Sequence, residues 1–211
     1  TPDNSIIDDS IQFSLIPITK EIEEDKQIKS MLAAYNEKMP AAIILGKTET
    51  SWDLSKSSVR AGESNVANLV NDLIRNKFAV DCVLNNGGAF RGNKEYPPGP
   101  VTDTMLHAID EFENDVYLLK RNGSMLKEIL EHSASLVGSG GFLQVSGLRF
   151  TINMANQAQV IANQNGMWAI TRTGERVTDI KVATKDGKYQ TLDPEKTYSV
   201  ACNAYLAERS G

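Results

Sequence analysis

The sequence predicts an α+β fold: a layered α/β/β/α domain with mixed sheets, preceded by a linker helix. Three observations carry this. Helical and strand-like patterns alternate through the first half of the chain. Strand-like runs joined by short turns, Asp186-Gly187 among them, fill the last third. A charged stretch from Lys20 to Lys29 precedes both.

Residues 11–18 alternate apolar and polar side chains as a half-buried strand does, and a proline stops the run. Glu21, Glu23, Glu24 and Asp25 follow. Ile28, Met31, Leu32 and Tyr35 then recur at helical spacing until Pro40, which reads as a connector helix and not a core element. Ala41 to Leu45 is a short buried strand closed by Gly46. Within residues 63–75, Val66, Leu69, Val70, Leu73 and Ile74 make one apolar stripe. Glu63 falls in that helix's first turn and Arg75 in its last, as the helix dipole favours.

Val80, Cys82, Val83 and Leu84 lead into Asn85-Asn86-Gly87-Gly88-Ala89-Phe90-Arg91. A buried strand ending this way must turn sharply, with glycine free to take positive φ. The turn gathers backbone amides, a carboxamide and a guanidinium at one strand end, where α/β sheets hold ligands. Arg91 offers a rigid fork of donors, and Asn86 offers donors and acceptors. Such groups grip a polar small molecule; they do not break bonds. The plainer alternative is a strand-to-loop turn with a solvated arginine.

Pro97, Pro98, Gly99 and Pro100 make residues 93–100 a loop. Thr102 caps a short helix through Ile109, an acidic segment runs from Asp110 to Glu113 around Phe112, and Val116 to Leu119 is a strand. Asn122-Gly123-Ser124 turns into a helix with Leu126, Ile129, Leu130 and Ala134 on its apolar face. A flexible loop at 138–141 separates it from a strand at 142–148, and Thr197 to Ala201 is another strand.

Several functions are excluded by composition. The formal net charge is −5 and no basic run exceeds two residues, so the chain is not suited to nucleic-acid polymers or membrane surfaces. No apolar stretch approaches the roughly 20 residues that span a bilayer. Cys82 and Cys202 lie in strand-like apolar runs and read as buried free thiols, with a long-range disulfide as the alternative. His107 and His132 sit in predicted helices without a second ligand at metal spacing, which favours surface or structural roles. No Gly-x-Ser-x-Gly elbow, P-loop lysine motif or Cys–His pair occurs. The chain has the means to bind and lacks obvious means to cleave.

From about residue 40 to 207 the chain resembles the C-terminal domain of the 5′-nucleotidase family. The matching stretches keep their order: Arg60 to Ile74 with its Glu63-Ser64-Asn65, the Asn86-Gly87-Gly88 turn with Arg91, Phe112-Glu113-Asn114, and Asn122 to Lys127 with Leu130-Glu131-His132. Gly141 to Gly147 is the most distinctive, and Tyr198 to Ala207 closes the series. The resemblance implies a two-domain hydrolase that is periplasmic, secreted or at the cell surface, and that works in nucleotide catabolism. Its N-terminal metallophosphoesterase domain would hold two divalent metal ions and cleave the phosphate ester, while the C-terminal domain grips the nucleoside or nucleotide. Residues 1–18 are then the end of the catalytic domain, 19–39 the linker helix, and 40–211 the binding domain, truncated at its end. No cofactor is expected in this stretch, and alone it is expected to be inactive.

Carried over, Arg60 and Arg91 would hold sugar or phosphate by charge-assisted hydrogen bonds. Asn86 and Asn114 would read base edges, and Phe112 and Tyr205 would be stacking plates. The sequence departs from the family where Asp110-Glu111 replace Leu-Pro before Phe112. This loosens the loop and sets two carboxylates against an anionic ligand. The closing Gly-Gly-Asp-Gly, whose Asp binds ribose hydroxyls, would follow Ser210-Gly211. Two other readings stand beside this one: the binding domain of a related phosphoesterase acting on UDP-sugars, cyclic nucleotides or sulfur esters, and a purely structural or interaction domain.

Overall fold

The computed structural model describes residues 13–209, which fall into two units, one ending at Ala41 and the other beginning at Ala42. In the first, residues 13–18 form no strand, contrary to the alternating pattern, and residues 11–12 lie outside the described part. A strand needs a paired neighbour to satisfy its backbone, and among the described residues none pairs with this one. Phe13, Leu15, Ile16 and Ile18 stay exposed. Helix α1 (Lys26–Asn36) is shorter than the expected linker helix. It starts at Asp25, whose Oδ1 accepts from the amides of Gln27 and Ile28 at 2.8 and 3.0 Å. None of its residues is buried.

The second unit runs, in order, through β1 (Ile44–Thr48), β2 (Trp52–Asp53), α2 (Lys56–Val59), α3 (Asn65–Phe78), β3 (Cys82–Asn86), β4 (Glu95–Tyr96), β5 (Gly99–Thr102), α4 (Asp103–Ile109), β6 (Val116–Asn122) and α5 (Gly123–Ser135). It continues with β7 (Leu143–Ser146), β8 (Leu148–Ile152), β9 (Val160–Gln164), β10 (Met167–Arg172), β11 (Val177–Ala183), β12 (Tyr189–Thr191), β13 (Thr197–Asn203) and α6 (Ala204–Arg209). The class is α+β, as the sequence predicts. A mixed four-stranded sheet has the order β6-β13-β3-β7, with β3 and β13 parallel and both outer strands antiparallel to their neighbours. A second, antiparallel sheet has the order β12-β11-β8.

Alternation along β3 assigns the layers. Cys82 and Leu84 join a core shared by α5 (Leu126, Leu130, Ala134) and the second sheet (Leu148, Val177, Ile180, Val182). Val83, between them, faces the other way, toward Val80, Ala201 and Ile74 of α3. A separate cluster joins Trp52, Leu54, Val59, Val66, Phe90, Val101 and Ile109, contributed by β2, α2, α3, β5, α4 and the segments that follow β2 and β3.

Several elements differ from expectation. The short strand at 41–45 is displaced to β1 and is not buried: Ile44 is 67% exposed. Its partner is β5, in a sheet of two strands, and although Val101 of β5 is buried, β1 itself is exposed along all but its last residue. The expected loop at 93–100 contains β4 and the start of β5. Pro97 and Pro98 sit between the strands and Pro100 lies in a two-stranded ribbon, where a missing N–H need not break a ladder. Helix α3 begins one residue after Ser64, so Glu63 precedes its first turn, and it runs on to Phe78 before Ala79 closes it at φ 51°. Its buried face carries Val66, Ala67 and Asn71, while Leu69 and Leu73 are exposed. Asn71 lies inside and its Oδ1 accepts from Asn85 Nδ2 at 2.7 Å, a buried contact that periodicity cannot show, while its own Nδ2 is buried without a hydrogen-bond partner among the described residues.

Candidate functional site

Strands β3 and β13 are parallel and end together, at Asn86 and Asn203, and antiparallel pairing brings the start of β6 (Val116 opposite Asn203) and of β7 (Leu143 opposite Asn86) to the same edge. Four connecting segments therefore converge at one end of the sheet. All six residues expected in a site lie on them or beside them.

The turn after β3 is a 3-10 turn, Gly87–Ala89, and neither Gly87 nor Gly88 has positive φ. The expected reason for the glycines was wrong. A Cβ on Gly87 would stand 2.2 Å from the carbonyl oxygen of Val59 and 3.1 Å from that of Phe142, and one on Gly88 would stand 3.1 Å from Gly140. They are glycines because three backbones touch there. The amide of Gly87 donates to Phe142 O at 2.6 Å, that of Gly88 to Gly140 O at 2.9 Å, and that of Gly138 to Arg60 O at 2.7 Å. Positive φ occurs one turn later, at Gly92 (95°).

Asn86 is buried and holds this junction. Its Nδ2 donates to Gly140 O at 3.1 Å, and its Oδ1 accepts from Asn203 Nδ2 at 2.8 Å. Gln144, also buried, donates from Nε2 to Val59 O and Gly62 O at 2.9 and 2.6 Å, while its Oε1 accepts from the Ser64 amide at 3.2 Å. That fastens the loop carrying Arg60. The Arg60 guanidinium carbon comes within 3.8 Å of where a Gly140 Cβ would be, and its Nε is buried without a hydrogen-bond partner.

Arg91 follows buried Phe90, and its amide donates to Ile109 O at 2.8 Å, tying the turn to the end of α4. Its Nε donates to Glu111 Oε2 at 2.9 Å, and its guanidinium carbon lies 5.2 Å from the centre of the Phe112 ring, within cation–π range. Phe112 is 57% exposed and Tyr205 47% exposed, so neither ring is a core residue. Glu113, next to Phe112, has φ 47°, a left-handed turn that costs a non-glycine residue on the order of 1 kcal/mol. His107 Nδ1 pairs with Glu113 Oε1 at 3.2 Å, so this histidine braces the loop from the surface. Burial raises the Asp110 carboxyl above the usual range, and the Glu113 carboxylate adds to the rise. Asn114 is partly buried before β6. On the other side, the Ala204 amide donates to Asp115 O at 2.8 Å and Asn203 Oδ1 accepts from the Leu206 amide at 3.0 Å, so the start of α6 with Tyr205 is held beside the start of β6.

The arrangement can present an aromatic face, a guanidinium and a second, incompletely satisfied arginine to a polar, planar ligand. Among the described residues no three His, Cys, Asp or Glu side chains converge as metal ligands. Cys82 and Cys202 are free and buried, and no disulfide joins them. A cavity of about 680 Å³ lies elsewhere, between α5, β11 and β10, and contains none of the six residues. Sequence reasoning missed Asn203, Gln144 and the bond from Arg91 to Glu111. Asn203 lies two residues past the strand predicted at 197–201, where the structure extends that strand and begins a helix, and the sequence carried no separate signal for it.

The family described as 5′-nucleotidase, C-terminal domain, matches residues 44–211, and the chain belongs to it. Relatives include the trifunctional nucleotide phosphoesterase protein YfkN of Bacillus subtilis, 26% identical over 94% of this chain and 13% of its own length. The snake venom 5′-nucleotidase of Naja atra is 25% identical over 91% of this chain and 37% of its own length. Among solved structures, the 5′-nucleotidase precursor of Thermus thermophilus superposes with a TM-score of 0.72 at 29% identity, covering 87% of this chain and 34% of that one. The chain thus spans little more than a third of these relatives at most. Among the described residues no helix is long and apolar enough to cross a membrane.

Proposed function

We propose that this chain is the substrate-binding domain of a 5′-nucleotidase-like phosphohydrolase that releases phosphate from nucleotides. The observation that carries the reading is the exposed Phe112 ring with the Arg91 guanidinium 5.2 Å from its centre, at the sheet end where Arg60, Asn86 and Tyr205 also lie. Phe112 and Tyr205 would stack on the base, each contact contributing about 1–3 kcal/mol as aromatic rings do on nucleobases. Arg60 and Arg91 would hold sugar or phosphate oxygens. Asn86, already bonded to Gly140 and Asn203, keeps one N–H which, with Asn114, would read base edges.

Cleavage belongs to a metallophosphoesterase domain outside these residues, whose two divalent ions would supply Lewis-acid polarisation of the phosphoryl group. Residues 1–18 are the end of that domain and 19–39 the linker. The exposed side chains of Phe13, Leu15, Ile16 and Ile18 support this, because an apolar run in water is expected to be covered in the complete protein. The chain alone is inactive, and the whole protein is periplasmic, secreted or cell-surface and serves nucleotide catabolism. A relative named for snake venom supports an extracellular place.

The test assays the full-length protein with divalent metal and nucleoside monophosphates. Phosphate release is expected, and Phe112→Ala is expected to raise KM by about tenfold, the equivalent of one lost stack. No phosphate from any of several bases would refute the reading.

A further inference from the structure

Arg91 is held from two sides. Its Nε is bonded to Glu111 Oε2 at 2.9 Å, and its guanidinium lies against the Phe112 ring. The Arg91 side chain is 27% exposed and that of Glu111 60%, so the pair sits on the rim and not in the core. Among the described residues no other side-chain bond engages this guanidinium, and its Nη edge is left for a ligand. Asp110 and Glu113 add carboxylates on the same segment, and His107 pairs with Glu113 and also lies close enough to Asp110 to act on its charge.

We propose that Glu111 is a specificity-determining residue, which weights this site toward neutral nucleosides and against ligands that carry di- or triphosphate charge. The inference rests on the nucleotide reading above. Two physical steps lead to it. First, one edge of the guanidinium is fixed to the carboxylate while its carbon lies over the ring, so Arg91 is oriented before a ligand arrives and loses less freedom on binding. Second, Arg91 and Glu111 together are formally neutral. An added phosphate charge near Arg91 therefore meets its cation and an anion at similar range. At the rim, where water screens the charges, a unit charge about 4 Å away changes affinity by about fivefold. The remaining Glu111 oxygen can accept from a ligand hydroxyl or amine, which a neutral sugar or base supplies and a phosphate does not.

Calorimetry on the metal-loaded, full-length protein tests this, with adenosine as the neutral probe and non-hydrolysable α,β-methylene ADP as the charged one. Contributions from the rest of the protein cancel in the ratio of the two Kd values between wild type and variant. Glu111→Gln is expected to shift that ratio toward the diphosphate analogue by about fivefold. Added salt should shrink the shift, and Glu111→Asp should restore most of the wild-type ratio. An unchanged ratio in Glu111→Gln, or parallel weakening of both ligands, would overturn the proposal and leave nucleotide binding standing. Failure of wild type to bind either probe would overturn both.

Discussion

Asn203 donates from Nδ2 to Oδ1 of Asn86 over 2.8 Å, joining side chains 117 residues apart at the ends of two parallel strands. Both are buried. The bond links the loop after β3 to the start of α6, and so links the Arg91 side of the site to Tyr205. Asn203→Ala removes the donor and leaves the Asn86 oxygen buried without it. A cost of about 1–3 kcal/mol is expected, read as a lower urea midpoint with an unchanged slope. The double variant with Asn86→Ala should cost less than the sum of the singles, because the two act as one unit. Strict additivity would show that the bond contributes nothing.

Gly87→Ala separates close contact from backbone conformation. The new Cβ would lie 2.2 Å from Val59 O, and φ at this position is not positive, so the whole penalty comes from pushing backbones apart. A loss of about 3 kcal/mol is expected. Gly187→Ala is the control: φ there is 80° and nothing lies within 4 Å, so it should cost only about 1 kcal/mol. Equal losses in the two variants, measured by thermal and urea unfolding, would contradict the packing role.

The sequence made the strand before Asn86, the cap at Thr102, the helix after Asn122 and the turn at Gly187 readable, because each rests on local chemistry: apolar runs, a side-chain oxygen, a positive φ. It did not make readable the strand expected at 11–18 or the burial of β1, where the outcome depends on whether a second strand or layer covers the element. The site divides in the same way. Arg91 and Phe112 were legible as residue types, 21 positions apart, but the Glu111 carboxylate, read as a repulsive neighbour, turned out to be the partner of Arg91. Partnership across a loop has no period, and neither has the contact of Gln144 with the Arg60 loop.

Cys82 and Cys202 should be unreactive in the folded protein. Burial pushes the Cys82 thiol up to about 12, with the Asp81 carboxylate adding to it, and burial also raises Cys202. The thiolate is the reactive form, so almost none is present at pH 8. An aromatic disulfide reagent at that pH is expected to titrate no thiol in native protein and two in denaturant. Zero in denaturant without reductant would mean that the pair is oxidised.

His132 should give the folded state a measurable pH dependence. It lies in the last turn of α5, and its Nδ1 is buried without a hydrogen-bond partner among the described residues. Desolvation holds its folded pKa below the ordinary value of 6.5. Below pH 6.5 the unfolded chain takes up the proton while the folded chain resists, so the unfolded state binds more protons in that window. Stability therefore rises with pH up to about 6.5 through this residue, is complete above it, and is lost as pH falls toward the folded pKa. The carboxylates add their own acid slope, so the comparison must be differential. Unfolding free energies at pH 7.5 and pH 5 are expected to fall further in wild type than in His132→Gln, which has no charge to acquire. At pH 7.5, where the imidazole is neutral in both states, the two differ only by packing. Equal falls in the two proteins would mean that the folded state accepts the proton on His132 without penalty, and would remove burial as the cause.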